Sequence, residues 1–293
     1  MSHYRKYPVY KDSGVEWLGE VPKHWEVKRL RFVANPKNSN VDKKKYEGQL
    51  EVSLCNYTNV YYNETITPKL EFMLSTASGL EVEAFTLLAG DVIITKDSES
   101  ADDIGIPAYV PQDLPGVVCG YHLTMLRSHG VEGEFLFRLL QSQSTKAYFF
   151  VEVSGVTRFG LGQNAINNIL VPLPTREEQR LLCAWMNRET IRIDALVSKK
   201  TRFIELLREK RQALITHAVT KGLDPNVKMK DSGVEWLGEV PEHWEIKQLG
   251  YFADVLRGKF THRPRNDPAF YDGDFPFIQT GDIRTCSISP TSV

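Results

Sequence analysis

The chain has 293 residues, of which 42% are hydrophobic and 25% are charged. It is therefore long enough for one or two domains with a buried core, and its composition is that of an ordinary globular protein. No apolar run reaches the roughly 18–20 residues that would span a bilayer, and the start, MSHYRKYPVYKDS, lacks the apolar core of a signal peptide. Four scattered cysteines without CxxC spacing indicate reduced thiols. We expect a cytoplasmic protein that contacts no membrane.

The net charge of −1 conceals a strong segregation of charge along the chain. Segments 1–45 and 175–222 carry +6 and +5, whereas segments 46–174 and 223–293 carry −9 and −3. A nucleic-acid partner needs local basic patches rather than a basic total, because phosphate neutralisation depends on where the cations lie. The acidic middle of the chain therefore counts mildly against such a partner.

A segment near the start of the chain occurs twice. Residues 11–34 recur as residues 230–253 with 18 of 24 positions identical, at an offset of 219 residues. That offset exceeds the period of solenoid repeats, so it indicates a duplicated domain unit of which the second copy stops at Val293. Within the first copy we predict an ordered loop anchored by Trp17 and Trp25, a short strand near Trp25–Lys28 and a helical turn at Leu30–Ala34.

A polar stretch, Asn35–Gln49, follows the first repeat and contains four lysines. One interpretation is a solvated surface loop. The other is a loop whose lysines contact phosphates and whose asparagines bond backbone oxygens or base edges.

Residues 50–174 have the pattern of a β-rich domain with short helices. Runs of β-branched and aromatic residues predict strands at Val52–Leu54, Val92–Thr95, Ala108–Val110 and Gly116–Leu126. Helical spacing of apolar residues predicts one core helix over Phe135–Phe150.

Two polar and aromatic loops interrupt this domain, at Cys55–Asn63 and Ser154–Asn164. The second places Arg158 and Phe159 among three glycines, which allow a backbone to approach a ligand closely. Asparagine, glutamine and arginine are the residue types that read adenine and guanine edges. Glycine-rich loops are more often simple turns, so both interpretations stand for this one.

A long helix is predicted from residue 175 to residue 222. A T-x-x-E capping box, Thr175 to Glu178, opens it, and neither proline nor glycine follows until Gly222. Apolar residues recur at near-helical spacing, with Lys200 and Arg211 as interruptions. A helix of this length spans about 69 Å, so much of its apolar stripe has to meet another helix. Docking of the helix on its own domain is the alternative.

Four features in fixed order now resemble the DNA-specificity subunit of type I restriction-modification systems. They are the GEVPxHWE motif of each repeat, the GDVIITK strand, the VPLPTREEQ junction and a helix ending in ELLREKRQALITHAVTKG. The stretch RGKFTHRP…FPFIQTGDI, with Arg257, Lys259, Arg263 and Arg265, is similar to the opening of a second target-recognition domain of this family. The resemblance covers nearly the whole chain and is carried by the order, spacing and duplication of the motifs.

The resemblance implies an α+β fold: a β-rich target-recognition domain over 1–174, a coiled-coil-type spacer helix over 175–222, and the start of a second target-recognition domain over 223–293. In this family each such domain reads half of a bipartite DNA site, and the long helices of the two repeats pack antiparallel. Methyltransferase subunits supply the chemistry, and a separate restriction subunit cuts. We therefore expect a non-catalytic DNA-recognition subunit with no cofactor or metal of its own.

By similarity, the recognition surface draws on the loops at Lys37–Lys45, Asn56–Tyr62, Lys96–Ser98 and Arg158–Asn164. The candidate DNA-binding residues are Lys37, Asn38, Lys43, Lys44, Lys45, Asn56, Tyr57, Asn59, Tyr61, Lys96, Ser98, Arg158, Phe159, Gln163 and Asn164.

The sequence departs from the family pattern in having only the start of a second domain and no second long helix. The apolar stripe then lacks an internal partner, so we expect a homodimer or pairing with a split second half. The predicted helix-pairing residues are Leu182, Trp185, Ile193, Leu196, Phe203, Leu207 and Leu214.

Two alternatives from other functional classes remain. Asp12 with Glu26-x-Lys28, copied in the second repeat, superficially matches a metal-dependent nuclease, which needs clustered carboxylates on magnesium and a lysine near the attacking water. A coiled-coil scaffold without DNA binding would account for the helix and the acidic middle, but not for the paired globular modules.

Overall fold

A computed structural model describes residues 7–256 of the chain. Two compact units, Met1–Arg202 and Phe203–Val293, divide the chain. The domain boundaries after residues 174 and 222 stay predictions. The basic residues of the predicted second recognition domain, Arg257, Lys259, Arg263 and Arg265, lie outside the described residues.

The strands of the first unit are short. In chain order they are Tyr10–Asp12 (β1), Glu20–Pro22 (β2), Glu26–Arg29 (β3), Ala34–Asn38 (β4), Leu50–Cys55 (β5), Met73–Ala77 (β6), Thr86–Leu87 (β7), Val92–Thr95 (β8), Asp97–Ser98 (β9), Pro107–Tyr109 (β10), Leu114–Cys119 (β11), Leu123–Ser128 (β12), Val153–Ser154 (β13), Phe159–Leu161 (β14) and Leu170–Leu173 (β15).

Five short α-helices accompany these strands, and a sixth, much longer one follows them. They are Tyr57–Tyr61 (α1), Gly79–Phe85 (α2), Gly133–Leu140 (α3), Gln143–Glu152 (α4), Gln163–Asn168 (α5) and Arg176–Lys221 (α6). Single turns of 3-10 helix occupy Leu30–Phe32 and Ala101–Asp103. The predicted α+β class, the strand at Val92–Thr95 and the long helix are confirmed.

Two four-stranded sheets, in the orders β10-β8-β12-β4 and β6-β5-β11-β7, form the centre of the first unit. Alternation along β8 sends Val92 and Ile94 into one hydrophobic core and Ile93 into another. Because both faces of this strand are covered, its sequence is a continuous apolar run rather than an alternating one. The core that contains Ile93 also contains residues of the second sheet. The core that contains Val92 and Ile94 also contains residues of α3, α4 and α5.

The first repeat segment is fixed to the start of the long helix. Strand β3 pairs antiparallel with β15, and Lys28 lies opposite Val171. His24 Nε2 lies 2.8 Å from Glu178 Oε1 at the first turn of α6. The predicted capping box is present, since Glu178 Oε2 accepts from the Thr175 backbone N–H at 3.0 Å and the Glu178 N–H donates to the Thr175 hydroxyl at 3.3 Å. The strand pairing and the contact between His24 and Glu178 therefore join the first repeat segment to the start of the helix.

Charge also holds the helix on the domain. Arg176 and Arg180 of α6 both contact Glu132 Oε1, at 3.3 and 3.0 Å. The side chain of Gln179 is buried, and its Oε1 accepts from the Glu132 backbone N–H at 2.8 Å. Part of the negative charge of the predicted acidic middle is therefore neutralised by the basic helix.

Four sequence predictions are wrong in detail. The predicted strand Gly116–Leu126 is two strands, β11 and β12, separated by a turn in which the Leu123 N–H donates to Gly120 O. The predicted helix Phe135–Phe150 is also broken, because the Ser142 side chain caps a new helix by accepting from the Thr145 N–H. Of the predicted loops, Cys55–Asn63 contains helix α1, and Asn35–Gln49 begins inside β4.

The second unit contains the repeated hairpin, formed by Met229–Asp231 (β16) and Glu239–Pro241 (β17), and a 3-10 turn at Leu249–Tyr251. Met229 lies opposite Pro241 as Tyr10 lies opposite Pro22 in the first unit. The hairpin and its register thus recur in the second copy, whereas residues 245–248, which correspond to β3, form no strand. The side chains differ in burial, since Leu30 is fully buried whereas its counterpart Leu249 is 67% exposed.

The thiols of the described cysteines are free and buried at Cys55, Cys119 and Cys183. Burial raises the pKa of Cys55 to about 12 and that of Cys183 to about 11. These groups stay protonated at neutral pH and act as small apolar side chains. Among residues 7–256, no helix is both long and apolar enough to cross a membrane.

Candidate nucleic-acid interface

Three of the predicted recognition stretches come together on one surface of the first unit. Strand β14 pairs antiparallel with β9, so that Phe159 lies opposite Ser98 and Gly160 opposite Asp97. The Tyr57 hydroxyl donates to Ser98 Oγ at 3.4 Å, which adds helix α1 to the same surface. Residues that are about 40 and 60 positions apart in the chain are therefore neighbours here.

Helix α1 presents aromatic rings from a tightly capped turn. Asn56 caps the helix by accepting from the Thr58 and Asn59 backbone N–H groups, and Asn59 Oδ1 accepts from the Asn56 N–H in return. The rings of Tyr57 and Tyr61 stack with centroids 5.5 Å apart. The Tyr61 hydroxyl bonds Asp103 at 3.0 Å, so both rings are held in place.

The turn between β11 and β12 supplies two residues that the sequence analysis missed, Tyr121 and His122. His122 Nδ1 lies within hydrogen-bond distance of Asp97 Oδ1, and Arg158 Nη2 donates to the same oxygen at 2.7 Å. The hydrogen bond that Arg158 donates to Asp97 raises the pKa of its guanidinium above its ordinary value. We call Tyr57, Asp97, Ser98, His122 and Arg158 the polar cluster. A glycine followed by Tyr-His between two strands was the available signal for the missed turn.

A cavity of about 300 Å³ opens beside the polar cluster. Aromatic rings and apolar side chains form part of its wall, and polar groups the rest: Lys43, Leu54, Asn56, Tyr57, Thr58, Met73, Gly120, Tyr121 and His122. An apolar wall with a few polar groups at its rim suits the flat face and polar edge of a base. Lys43 brings one cation of the predicted lysine loop to this rim.

The other predicted DNA-binding residues fall into two groups. Lys44, Lys45 and Asn164 are exposed, and Lys37 is half-buried on β4. The second group has structural partners: Asn38 Oδ1 accepts from the Thr124 hydroxyl at 2.6 Å, and Gln163 Nε2 donates to Pro36 O at 3.2 Å.

Three further candidates are buried or half-buried. Asn59 is only 8% exposed and donates to Glu71 O at 2.9 Å, and Phe159 packs against the core. Their structural contacts account for these two residues without a ligand. Lys96 is half-buried, and its backbone N–H and C=O bond His122 O and the Leu161 N–H.

The apolar stripe on α6 is exposed along most of its length. Ile193, Leu196, Phe203, Leu207 and Leu214 are 48–61% exposed. Leu182 differs, because it packs with Met186 against the core of the first unit. The stripe therefore begins as a docking face on its own domain and continues as an apolar face that, within residues 7–256, has no covering element.

The residues of the nuclease hypothesis form no active site. Glu26 is engaged by Lys28 Nζ at 2.5 Å, and the Asp12 carboxylate accepts from the Gly14 N–H. In the described part of the chain, no group of three or more His, Cys, Asp or Glu side chains is arranged to hold a metal ion.

Comparison with known proteins identifies the family. Residues 22–193 match the model of the type I restriction modification DNA specificity domain. The chain belongs to this family. The match runs from the first repeat segment through the residues of the polar cluster into the first part of α6.

Two curated relatives come from Methanocaldococcus jannaschii. The putative type I restriction enzyme MjaX specificity subunit is 23% identical over 283 residues, which cover 94% of this chain and 63% of the relative. The type I restriction enzyme MjaIX specificity subunit is 23% identical over 274 residues, which cover 89% of this chain and 59% of the relative. The chain thus spans less than two thirds of the length of either relative.

A solved structure shares the fold. It belongs to a study of complex assembly and conformational transition in a type I R-M system, and it matches with a TM-score of 0.53 and 19% identity. The match covers 69% of this chain and 47% of the solved one.

Proposed function

We propose that this chain is a non-catalytic DNA-recognition subunit of a type I restriction-modification complex. Its first unit reads one half of a bipartite duplex site through the polar cluster and the neighbouring lysines. Methylation and cleavage are performed by partner methyltransferase and restriction subunits in the cytoplasm.

The observation that carries this proposal is the convergence of the predicted stretches on one surface. Helix α1, β9 and the loop that leads into β14 were predicted by similarity to the family, from residue chemistry and rough loop position, and they meet at Tyr57, Ser98 and Arg158. Polar side chains with exposed donors and a rim lysine are what major-groove reading and phosphate positioning require. A scaffold protein has no need of this arrangement.

The exposed stripe of α6 is the proposed site of assembly. A face with five large apolar residues, each about half exposed, is unfavourable in water and suits a partner helix. We propose that a second copy of this chain covers it, so that two identical recognition units read the two half-sites. A split second half that carries its own helix is the alternative partner.

The test is to map methylated bases in a host that expresses this chain with its cognate methyltransferase subunit. A symmetric bipartite motif is expected for a homodimer, because each copy reads the same half-site. An asymmetric motif means that a second recognition half comes from another chain. Absence of any motif, while a full-length relative yields one in the same host, contradicts the proposed function.

Duplex binding in vitro separates recognition from scaffolding. The purified complex should bind a cognate duplex with an affinity that falls as the salt concentration rises. Binding releases counterions from the DNA, so the logarithm of the affinity decreases linearly with the logarithm of the salt concentration. Substitution of Lys43, Lys44 and Lys45 by alanine should flatten this dependence. A scaffold would bind no duplex, and the substitutions would then have no effect.

A further inference from the structure

Arg158 is held by a neighbouring carboxylate with part of its guanidinium left free. Its side chain is 56% exposed, whereas those of Asp97 and His122 are only 20% and 23% exposed. Nη2 makes the 2.7 Å bond to Asp97 Oδ1. Because an ionised carboxylate only accepts, the neighbouring His122 Nδ1 is assigned as a donor to Asp97. Both donors therefore converge on one fixed oxygen.

The free donors of Arg158 form a two-pronged edge. Nη2 carries two hydrogens. Asp97 Oδ1 and His122 Nδ1 lie 2.7 and 2.9 Å from Nη2 and within hydrogen-bond distance of each other, so both are on the same side of this nitrogen and face one of its hydrogens. The other hydrogen of Nη2 lies beside those of Nη1, and no group among the described residues is hydrogen-bonded to Nη1. Two parallel donors at this spacing match two neighbouring acceptors. The O6 and N7 atoms of guanine form such a pair in the major groove.

Charge favours a base over a phosphate as the occupant. The positive charge of Arg158 is already compensated by Asp97, and Glu99 adds further negative potential at the same group. A phosphate placed here would be repelled by both carboxylates. The edge of guanine carries no net charge, so it accepts the two hydrogen bonds without that repulsion. Adenine offers only one acceptor on this edge, beside an amino donor.

We propose that Arg158 reads a guanine in the half-site of this chain and that Asp97 and His122 are its positioning residues. The proposal rests on the proposed function and adds to it the identity of one base and the side chain that reads it. His122 lies in the turn that the sequence analysis missed, and Asp97 lies in β9.

The probe is a cognate duplex in which each guanine of the half-site is replaced in turn by 7-deazaguanine. This base keeps its Watson–Crick pairing but has a C–H in place of the N7 acceptor. With the complex of this chain and its methyltransferase subunit, one replacement should weaken binding by about 5- to 150-fold, the range for one good bidentate base contact. In the Arg158→Ala complex, the same replacement should change nothing.

Asp97→Asn tests positioning. It removes the charge of the carboxylate but keeps its shape, so the complex should lose part of its preference for guanine over 7-deazaguanine while its melting temperature and salt dependence stay the same. A change in melting temperature without a change in that preference would mean that Asp97 is only structural.

The outcomes separate the two proposals. The role of Arg158 is overturned if binding is sequence-specific but insensitive to every replacement, or if the sensitivity survives in Arg158→Ala. Either outcome leaves the proposed function intact. If Arg158→Ala lowers the salt slope by about one without any effect of 7-deazaguanine, Arg158 contacts a phosphate instead. A wild-type complex without sequence preference overturns the proposed function and this inference with it.

Discussion

Substitution of Leu207 by aspartate tests the proposed pairing of α6 directly. Complete burial of a leucine contributes about 1.5–3 kcal/mol, and Leu207 still exposes 48% of its surface. Burial of the exposed part of Leu207 on pairing therefore contributes about 1 kcal/mol per copy, or about 2 kcal/mol in a symmetric dimer. Burial of an aspartate carboxylate costs several kcal/mol more per ion. The total is at least about 4 kcal/mol, which weakens the dimer about a thousandfold.

The assay is sedimentation velocity of the chain alone over a range of micromolar concentrations. The wild type is expected to sediment as a dimer and Leu207→Asp as a monomer. Ile191→Asp is the matched control, because Ile191 is 69% exposed on the same helix. It lies 16 positions away, about 4.4 turns at 3.6 residues per turn, and so on nearly the opposite face. A dimer that persists in Leu207→Asp, or a wild type that is monomeric, refutes the homodimer.

The charges within the stripe also predict whether the two helices of the dimer pair parallel or antiparallel. Glu189, Ile193, Leu196 and Lys200 are separated by four, three and four residues, as the core positions of a coiled coil are. In a parallel dimer, each Lys200 would face the Lys200 of the other copy, and each Glu189 the other Glu189. Both like-charged pairs would repel. An antiparallel dimer centred between residues 194 and 195 places Glu189 opposite Lys200, twice by symmetry.

Charge exchange checks this register. Glu189→Lys and Lys200→Glu should each weaken the dimer, and the double variant should restore it, because the opposite charges then face each other again. If the double variant is as weak as the sum of the single ones, the two residues do not meet and the register is wrong.

Three further predictions concern stability. Arg127→Ala should lower the free energy of unfolding in urea by about 3–5 kcal/mol. The substitution removes the charged partner of the Asp91 carboxylate, which is only 1% exposed and accepts from Arg127 at 2.8–2.9 Å. A decrease below about 1 kcal/mol contradicts this. Burial raises the pKa of Glu178, but hydrogen bonds from His24 and Thr175 outweigh it and lower that pKa from 4.5 to about 2. The contribution of Glu178 to the free energy of unfolding should thus be complete above its ordinary pKa and disappear as the pH falls toward 2. Unfolding of Glu178→Gln, measured across the same pH window, should lack this dependence. Gly105→Ala should lower the melting temperature far more than Gly48→Ala does. Both glycines have positive φ, but a Cβ on Gly105 would overlap the Phe149 ring, whereas one on Gly48 meets nothing within 4 Å. Equal melting temperatures would refute the clash.

Local patterns predicted those parts of the fold that local physics determines. The capping box at Thr175 and Glu178 forms because both partners lie within one turn, and the apolar run Val92–Thr95 is a strand because two cores cover it. The break in the predicted helix Phe135–Phe150 was equally local, since Ser142 is a good helix cap. Helical spacing on both sides of Ser142 concealed it.

The candidate site was only partly predictable, because its residues meet through long-range pairing. Arg158 and Tyr57 have suitable chemistry in the sequence, but the partners that orient them depend on the register of β14 against β9. For His122, the glycine before Tyr121 indicated a turn, but nothing in the sequence indicated that the histidine would contact Asp97. Asn59 shows the opposite case: a residue type suited to base reading is buried, where it satisfies the backbone of its own helix and Glu71.

The acidic character of residues 46–174 weighs less against DNA binding than the count of charges suggests. Asp91 is neutralised by Arg127 inside the domain, and Glu132 is neutralised by two arginines of α6. Asp97 is shared by His122 and Arg158. In each case the carboxylate orients a cation or fixes an element rather than projecting a free charge. Under the proposed function, a DNA duplex would meet cations that are held in fixed orientations, and this would favour selection among bases over strong but unselective attraction to phosphate.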